Sequence, residues 1–559
     1  MRRHVSTMQA WRMLLLLGAA LLLVSPAFAQ VRIPPAAIAD MSRLDEVIRQ
    51  GELLEQERRW SDALRYYEGA LRDFPDRSEL LQRMATARVH LDVARRYSDR
   101  SFLNSLQRLN EQQALDLFSE VLLKIETYHV SDPDWQQVLR QGMQGLNIAV
   151  HEPAFVDKAR WPAAEEQVQV FSKQLANTVA PAQIRSRHQA REATATVARL
   201  ADRYLGVAPQ ATIMEFTCAA VATLDNYSAY LTGDQLDDVF SQIEGNFVGL
   251  GIELKPEQQS LLIVNVIPGG PADLAGVQPN DRILEVDGKS MRVISTDVAA
   301  DMLKGPELSF VEVRIERPDG TLRDYRIQRR CVEVPSVSDA QILDPATGTA
   351  YLKLVSFQKT TSQDMDRALW DLHGKGMRTL IVDLRGNPGG LLNAAVEVAD
   401  KFLQAGTIVS TRGRSVREDF DYKANSVGTW LVPLIVLIDG ESASASEILA
   451  GAIHDHRRGT VIGQRSYGKG SVQGIFPLSR YKSGVRLTTA KFYTPSGQAI
   501  SNFGVTPDIT VQQPARHTVA RPAGDDDEVL THPDEDLALQ TALDVARRAF
   551  TQQHAARSK

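Results

Sequence analysis

Residues 434–453 read LIVLIDGESASASEILAGAI: an apolar run, a serine-rich turn and a helical pattern in succession. A run that is apolar at every position is typical of a strand buried on both faces of a sheet, and functional loops follow the carboxyl ends of such strands. A serine hydroxyl in this turn would lie at a helix N-terminus. Ser444 and Glu447 also have capping-box spacing, so helix capping is a competing interpretation of the serine.

The rest of the chain shows three kinds of hydrophobic pattern. The run Thr379–Val382 again leads into a loop and a helical pattern, and this alternation begins at about Tyr351. Upstream, residues 249–286 form short strand-like runs between Gly and Pro turns, whereas residues 41–97 and 103–236 carry apolar residues at helical spacing. The sequence therefore predicts a multidomain α+β fold, with an α-helical N-terminal region, a strand-rich module and an α/β core.

The composition is that of a folded protein without a basic domain. The 559 residues exceed what one hydrophobic core usually organises, and the contents of 43% hydrophobic and 24% charged residues are near the globular average. A net charge of −6 argues against nucleic acid as a partner. Cys218 and Cys331 are too few for a disulfide scaffold or a four-thiolate zinc site, and no His-Glu-x-x-His motif is present, so we expect no metal.

The N-terminus has the pattern of a secretory signal. Arg2 and Arg3 precede the apolar run Met13–Val24, and the small-residue pattern Ala27–Ala29 follows, which places the mature start at Gln30. We expect an exported protein of the periplasm or cell envelope. An uncleaved signal acting as a membrane anchor is the alternative, although the run is shorter than the roughly 20 residues that span a bilayer.

A base must accompany a serine nucleophile. The nearest histidine is His454, and ten residues of one helix at about 1.5 Å each would place it roughly 15 Å from Ser444. Lys469 follows the strand-like run Thr460–Gly463, which can return beside the strand that leads to the serine. A lysine acts as a base only if burial lowers its pKa from about 10.4, and the glycines on both sides of Lys469 permit close packing.

A nucleotide-binding loop is a competing interpretation of that lysine. Residues 463–470 read GQRSYGKG, which nearly matches a Walker A loop after a strand. Gly470 replaces the Ser or Thr that would bind magnesium, so we do not predict nucleotide hydrolysis.

The serine and lysine stretches together resemble the C-terminal processing peptidases, also called tail-specific proteases. That family has Ser-Ala-Ser-Ala-Ser-Glu-Ile followed by Tyr/Phe-Gly-Lys-Gly-Ser/Thr-Val-Gln, and both motifs are intact here, with 25 residues from Ser444 to Lys469. The resemblance implies that Ser444 is the nucleophile and Lys469 the general base. It also implies that Gln473 orients the lysine amine, and the i,i+4 spacing of the two residues is compatible with one helical face.

The loop after the apolar run Thr379–Val382 resembles the family's oxyanion loop. Residues 383–390 read DLRGNPGG, as in the family. The resemblance assigns one oxyanion donor to the Ala445 amide and the other to the amide of Gly389 or Gly390, which the sequence does not separate. A tight turn is the competing interpretation of this loop.

The strand-rich module resembles the family's PDZ domain, in which a groove captures a peptide terminus with backbone amides. Further matches lie at residues 270–284. The resemblance assigns the carboxylate-binding loop, and hence the recognition of substrate tails, to Val248, Gly249, Leu250, Gly251 and Ile252.

These features predict a serine-type endopeptidase that cleaves exported proteins at or near their C-termini through a Ser/Lys acyl-enzyme, without a cofactor. Its partners are protein substrates with accessible C-termini, and the family is compatible with a homo-oligomer and with an adaptor bound to the N-terminal helices. The alternative is an inactive exported scaffold that binds protein tails. The predicted segments are a signal peptide (1–29), a helical segment resembling one tetratricopeptide repeat (30–100), a helical domain with an insertion (101–237), a PDZ domain (238–332), a crotonase-like α/β peptidase core (333–515) and a linker with a C-terminal helix (516–559).

The chain departs from the family in two places. About 70 residues intervene after Gly145 before the stretch that begins at Leu224, and the family's usual Asp-Pro-His-Ser is here Asp225-Asn226-Tyr227-Ser228. We expect these departures to affect oligomer geometry and partner choice and to leave the dyad untouched.

Overall fold

The computed structural model describes residues 35–159, 165–257, 260–293, 296–425, 427–511 and 536–557. The predicted signal peptide and the Pro- and Asp-rich part of the predicted linker lie outside these residues. Backbone contacts divide the chain into two units, residues 1–93 and 94–559. Within the described ranges, no helix combines the length and the apolar character needed to span a bilayer.

The first unit is a set of helices, α1 (Pro35–Gln56), α2 (Trp60–Asp73) and most of α3 (Ser78–Ser98). Ala63 and Tyr67, one helical turn apart on α2, are fully buried and form its core with Phe74 and Leu80. The likeness to a tetratricopeptide repeat stays a prediction.

The second unit begins with a helical region. Its centre is α10 (Pro209–Ala222), a helix buried on nearly every side. This helix packs against α5 (Glu111–Tyr128), α6 (Trp135–Ala149) and α9 (Arg187–Leu205). Cys218 on this helix is buried and Cys331 is exposed, and the two do not form a disulfide. The helices are α4 (Arg100–Arg108), α5 (Glu111–Tyr128), α6 (Trp135–Ala149), α7 (Pro153–Ala159), α8 (Glu165–Thr178), α9 (Arg187–Leu205), α10 (Pro209–Ala222) and, after the short strand β1 (Ala229–Leu231), α11 (Gly233–Glu244).

The strand-rich module is an antiparallel sheet in the order β3-β4-β5-β7-β8, with β6 paired to β5 and a separate β2-β9 ribbon. Its core contains the alternate apolar residues of these strands, among them Leu261, Ile263 and Ile283. β3 lies at the edge of the sheet. The elements are β2 (Asn246–Gly249), β3 (Ile252–Glu257), β4 (Ser260–Val266), α12 (Pro271–Leu274), β5 (Arg282–Val286), β6 (Lys289–Ser290), α13 (Thr296–Leu303), β7 (Phe310–Glu316), β8 (Leu322–Gln328) and β9 (Arg330–Glu333).

The α/β core contains a sheet in the order β10-β11-β12-β15-β16-β19, in which every pair from β11 onward is parallel. Both apolar runs of the sequence are central strands, and the second is buried at all five positions. Helices α14, α15 and α16 cover one face and α17 covers the other. The elements are β10 (Val337–Asp344), β11 (Thr349–Leu354), α14 (Thr361–Gly374), β12 (Thr379–Asp383), α15 (Leu392–Asp400), β15 (Leu434–Ile438), α16 (Ala445–Asp455), β16 (Thr460–Gly463), β19 (Ile509–Thr510) and α17 (Leu537–Arg557).

A second sheet of the core runs in the order β1-β18-β13-β14, and β17 also pairs with β18. It brings β1, which follows the helical region, onto the peptidase core through β18. Its core strands are β13 (Gly406–Gly413), β14 (Phe420–Ala424), β17 (Ser471–Pro477) and β18 (Gly484–Tyr493).

Candidate active site

Three loops meet at the carboxyl edge of the parallel strands β12, β15 and β16. The register sets Leu380 opposite Leu434, and Ile435 opposite Thr460, so the strands end side by side. The Gly386 amide donates to Asp439 Oδ1 (3.1 Å), which ties the first loop to the second. The structure therefore brings the predicted serine, lysine and oxyanion stretches to one edge of the sheet.

Two of the three serines in the turn serve as structural donors. Ser442 Oγ donates to the Leu384 carbonyl (2.8 Å), and Ser446 Oγ donates to the Asn387 carbonyl (3.0 Å). Both serines are fully buried. Ser444 instead lines an open cavity, so its hydroxyl is the one that a substrate can reach.

The backbone of Ser444 is strained. Its φ of 55° and ψ of −112° lie in a region that residues with a Cβ rarely occupy. Such outliers cost about 1–3 kcal/mol and persist where the surroundings over-determine them, as in the strand-turn-helix elbows that present a nucleophile. Ser444 occupies such an elbow, between β15 and α16.

A single buried carboxylate links the serine loop to the lysine loop. Glu447 Oε2 accepts from the backbone amides of Ser444 (2.7 Å) and Lys469 (2.9 Å). Its Oε1 accepts from Ser466 Oγ (2.6 Å) and the Gly468 amide (2.7 Å). Burial raises the pKa of Glu447, and these four hydrogen bonds oppose that rise. Glu447, whose spacing from Ser444 suggested a helix cap, therefore also holds the serine loop and the lysine loop together.

Lys469 is half-buried beside an arginine. Burial lowers the pKa of its amine, the nearby charge of Arg486 lowers it further, and Glu447 acts in the opposite direction. The Lys469 Nζ lies 5.0 Å from the centre of the Tyr227 ring. Among the described residues, no hydrogen bond joins this amine to the Ser444 hydroxyl.

The contact with Tyr227 corrects one expectation. We expected the Asp-Asn-Tyr-Ser departure to leave the dyad untouched, but the side chain that departs from the family touches the predicted base. The sequence could not indicate this, because Tyr227 and Lys469 are 242 positions apart and meet only through the pairing of β1 with β18.

The helical geometry predicted for Gln473 is wrong. Gln473 lies in strand β17, next to an irregularity in its pairing with β18, so it does not share a helical face with Lys469. Its Nε2 donates to the Ser471 carbonyl (3.1 Å) and to Ser471 Oγ (2.7 Å). Gln473 does line the same cavity as Ser444, and its orienting role stays a prediction.

The oxyanion loop distinguishes the two candidate glycines. The Gly389 amide donates to Asn387 Oδ1 (2.8 Å), and the buried Asn387 side chain is itself held by the Leu354 carbonyl (2.6 Å). No hydrogen bond from the Gly390 or Ala445 amide is present among the described residues. Gly390 lines the cavity beside Ser444. This geometry favours the amides of Gly390 and Ala445 as the oxyanion donors.

The cavity at Ser444 has a volume of about 250 Å³ and a largely apolar wall. Val239 and Ile243 of α11, Ile448 of α16 and Phe357 contribute to it. A pocket of this kind accepts an apolar side chain next to the bond that the serine attacks. Within the described ranges, no group of three or more His, Cys, Asp or Glu residues is arranged to hold a metal.

The predicted carboxylate-binding loop lies at the edge of the strand-rich module. Val248 and Gly249 end β2, and Ile252 begins the edge strand β3. The carbonyls of Leu250 and Gly251 accept from the amides of Ala272 and Ile267 (both 2.9 Å). Gly251 adopts a φ of 76°, which favours glycine.

Comparison with known proteins places this geometry in a family. Residues 348–511 match the model of peptidase family S41, and residues 262–317 match that of the PDZ domain. A carboxy-terminal-processing protease of Bartonella bacilliformis is 42% identical over 300 residues, which cover 52% of this chain and 68% of that protein. The chain belongs to the C-terminal processing peptidases.

Other C-terminal processing peptidases align over similar stretches. A carboxyl-terminal-processing protease of Synechocystis is 35% identical over 300 residues, covering 53% of this chain and 70% of that protein. The solved structure of a photosystem II D1 C-terminal processing protease aligns with 71% of this chain and 93% of its own at 25% identity, with a TM-score of 0.39. The predicted family and fold class, a PDZ domain with an S41 peptidase core, are confirmed.

Sequence reasoning missed three residues of this peptidase site. Glu447 was visible only as a capping partner, because capping-box spacing does not reveal a second loop on the same carboxylate. Tyr227 was visible only as a departure from the family motif, and Arg486 carried no local signal, since both reach Lys469 through sheet pairing.

Proposed function

We propose that this C-terminal processing peptidase is a serine-type endopeptidase in which Ser444 is the nucleophile and Lys469 the general base. The observation that carries the proposal is the Glu447 carboxylate, which holds the backbones of both residues through one oxygen. A second support is the burial that lowers the pKa of Lys469, since only a neutral amine can accept a proton.

The reaction is acyl transfer. The neutral Lys469 amine takes the proton of the Ser444 hydroxyl as its oxygen attacks the substrate carbonyl, and the amides of Gly390 and Ala445 stabilise the oxyanion. The protonated lysine then gives its proton to the leaving amine. Water attacks the acyl ester and regenerates the serine, so no cofactor is needed.

We further propose that the PDZ module selects substrate tails. The edge strand β3 has backbone groups available for an added peptide strand, and the turn 250–252 offers amides to a terminal carboxylate. The apolar cavity beside Ser444 supports cleavage next to an apolar residue. Export, and an adaptor bound to the N-terminal helices, belong to the same proposal and are supported by the leader pattern and the helical spacing alone.

The test is cleavage of an unfolded protein with an apolar C-terminus by the wild type, Ser444→Ala and Lys469→Ala. We expect both variants to lose turnover while keeping their circular dichroism spectra. Lys491→Ala removes an exposed lysine of β18 and should cleave at the wild-type rate. Full activity of either dyad variant would reject the mechanism, and a wild type that binds tails without cleaving them would favour the inactive scaffold.

A further inference from the structure

The loop before β1 carries a feature that the proposed mechanism does not yet use. Tyr227 stands where the family usually has histidine, and its ring centre lies 5.0 Å from Lys469 Nζ, within the range of a cation–π contact. We propose, on the basis of the proposed Ser/Lys mechanism, that Tyr227 is a positioning residue: its ring shields the Lys469 amine from water and holds it beside the serine loop.

The backbone of Tyr227 is fixed from two sides. Its amide donates to Asp225 Oδ1 (2.7 Å), and its carbonyl accepts from Arg486 Nε (2.9 Å). The Ser228 amide donates to the same carboxylate oxygen (2.7 Å), and Ser228 Oγ accepts from the Thr488 amide (3.2 Å). A loop held in this way presents the ring at a fixed place against the lysine.

Asp225 is itself anchored. Its Oδ2 contacts Nε2 of the buried His129 (3.1 Å) and accepts from Ser228 Oγ (2.9 Å). Although burial opposes it, these contacts and the backbone amides of Tyr227 and Ser228 hold the pKa of Asp225 well below its usual range. The anchor therefore stays ionised across the pH range in which a lysine base would titrate.

The charges around the amine come from three elements. Arg486 of β18 and Glu447 of α16 face Lys469, and Tyr227 in turn faces Tyr467, Glu447 and Asp225. Burial raises the pKa of Tyr227, so its phenol is neutral and the ring acts as an apolar wall. Attraction to an aromatic ring strengthens proton binding by a lysine by about 2- to 30-fold, whereas burial weakens it, by up to several powers of ten when burial is complete, and is the largest cause that lowers the pKa of Lys469. Shielding therefore dominates, and loss of the ring should raise the pKa of Lys469.

The experiment is the pH dependence of kcat/KM for an unfolded, dye-labelled protein, measured from pH 6 to pH 10 with Tyr227→Phe, Tyr227→Leu and Tyr227→Ala. We expect the phenylalanine variant to follow the wild-type profile. The alanine variant should have its half-maximal rate about one pH unit higher, lose about tenfold at neutral pH and recover at alkaline pH, because each unit lowers the neutral fraction about tenfold. The leucine variant, which keeps an apolar side chain, should shift less.

Controls separate this inference from the mechanism on which it rests. Tyr422→Ala removes a half-buried tyrosine of β14 and should leave the half-maximal pH unchanged. A loss in Tyr227→Ala that is equal at every pH, or a profile identical to the wild type, would overturn the inference while an inactive Lys469→Ala still upheld the base. If Tyr227→Ala does not fold, Tyr227→Ser, which also removes the apolar ring, decides by the same criterion. An active Lys469→Ala would instead overturn the proposed mechanism itself.

Discussion

At Ser444 the backbone conformation favours glycine, whereas the proposed chemistry needs a serine. The positive φ disfavours any side chain, whereas the reaction requires a hydroxyl. We expect Ser444→Gly to be more stable than Ser444→Ala by about 1 kcal/mol, because glycine relieves the strain that alanine keeps. Both variants should be inactive. Comparison of their unfolding in urea checks this prediction, and a glycine variant less stable than the alanine variant would contradict it.

Glu447 is the residue on which the two catalytic loops depend. Four donors converge on its two oxygens, and its side chain is fully buried. Glu447→Gln keeps the shape but turns an NH₂ group toward two of those donors, and each buried group left without a partner costs about 1–3 kcal/mol. We expect lower stability and a loss of kcat/KM above about tenfold.

The matched control for this change is Glu441→Gln, an exposed glutamate in the same turn. It should retain wild-type stability and kcat/KM. A Glu447→Gln enzyme with unchanged kcat/KM would show that the carboxylate does not set the geometry of the dyad.

Individual residues were predictable from the sequence where a local motif specifies them. The choice of Ser444 rested on its motif. The structure adds a physical reason, because the hydroxyls of Ser442 and Ser446 already donate hydrogen bonds to backbone carbonyls. The helical geometry of Gln473 failed because i,i+4 spacing has meaning only inside a helix. The sequence did not decide which glycine is the oxyanion donor, because the two glycines differ only in that the Gly389 amide donates to the Asn387 side chain.

At the scale of elements, the C-terminal helix α17 supports the loop 384–390, which carries the proposed oxyanion donor Gly390. Arg385 in this loop bridges Asp383, the last residue of β12, and Asp536 at the start of α17 (2.6 and 2.8 Å). The Leu539 amide also donates to Asp536 Oδ1 (3.0 Å), which caps the helix. Asp536→Asn removes the charge and keeps the cap, so it isolates the ion pair.

We expect Asp536→Asn to weaken the docking of α17 by about 1–2 kcal/mol, seen as a 5- to 30-fold faster hydrogen exchange of its backbone amides at pH 7. Burial raises the pKa of Asp536, but the hydrogen bond and charge of Arg385, together with the backbone amides of Leu539 and Ala538, outweigh this and lower it. A lowered carboxyl pKa stabilises the fold above the unfolded value of about 3.9, and this stabilisation is lost as the pH falls further. The difference between Asp536→Asn and the wild type should therefore disappear in acid.

Asp544→Asn, which alters an exposed ion pair on the same helix, is the control and should change exchange little. Equal protection of α17 in Asp536→Asn and the wild type would contradict the supporting role. The sequence predicted a C-terminal helix here, but its docking on the second face of the sheet depends on Ala542 and Ala546, whose small size permits close packing that the local sequence does not predict.

At the scale of the whole molecule, tail selection and peptide cleavage are assigned to different parts of the chain. In the proposed function, the PDZ turn 250–252 binds a terminal carboxylate, whereas Ser444, which lines the cavity of the peptidase core, attacks an internal peptide bond. We expect amidation of the substrate's C-terminus to raise KM about tenfold and to leave kcat within about twofold, since a charge-assisted contact of this kind contributes about 1.5–3 kcal/mol to binding and is remote from the reacting bond. Steady-state kinetics on a pair of substrates that differ only in the terminal carboxylate make the measurement, with a pair that differs only at its N-terminus as the control. Equal KM values for the carboxylate and the amide substrates would show that the terminal charge does not contribute to recognition. A fall in kcat alone would show that the carboxylate acts at the peptidase core instead of the PDZ module.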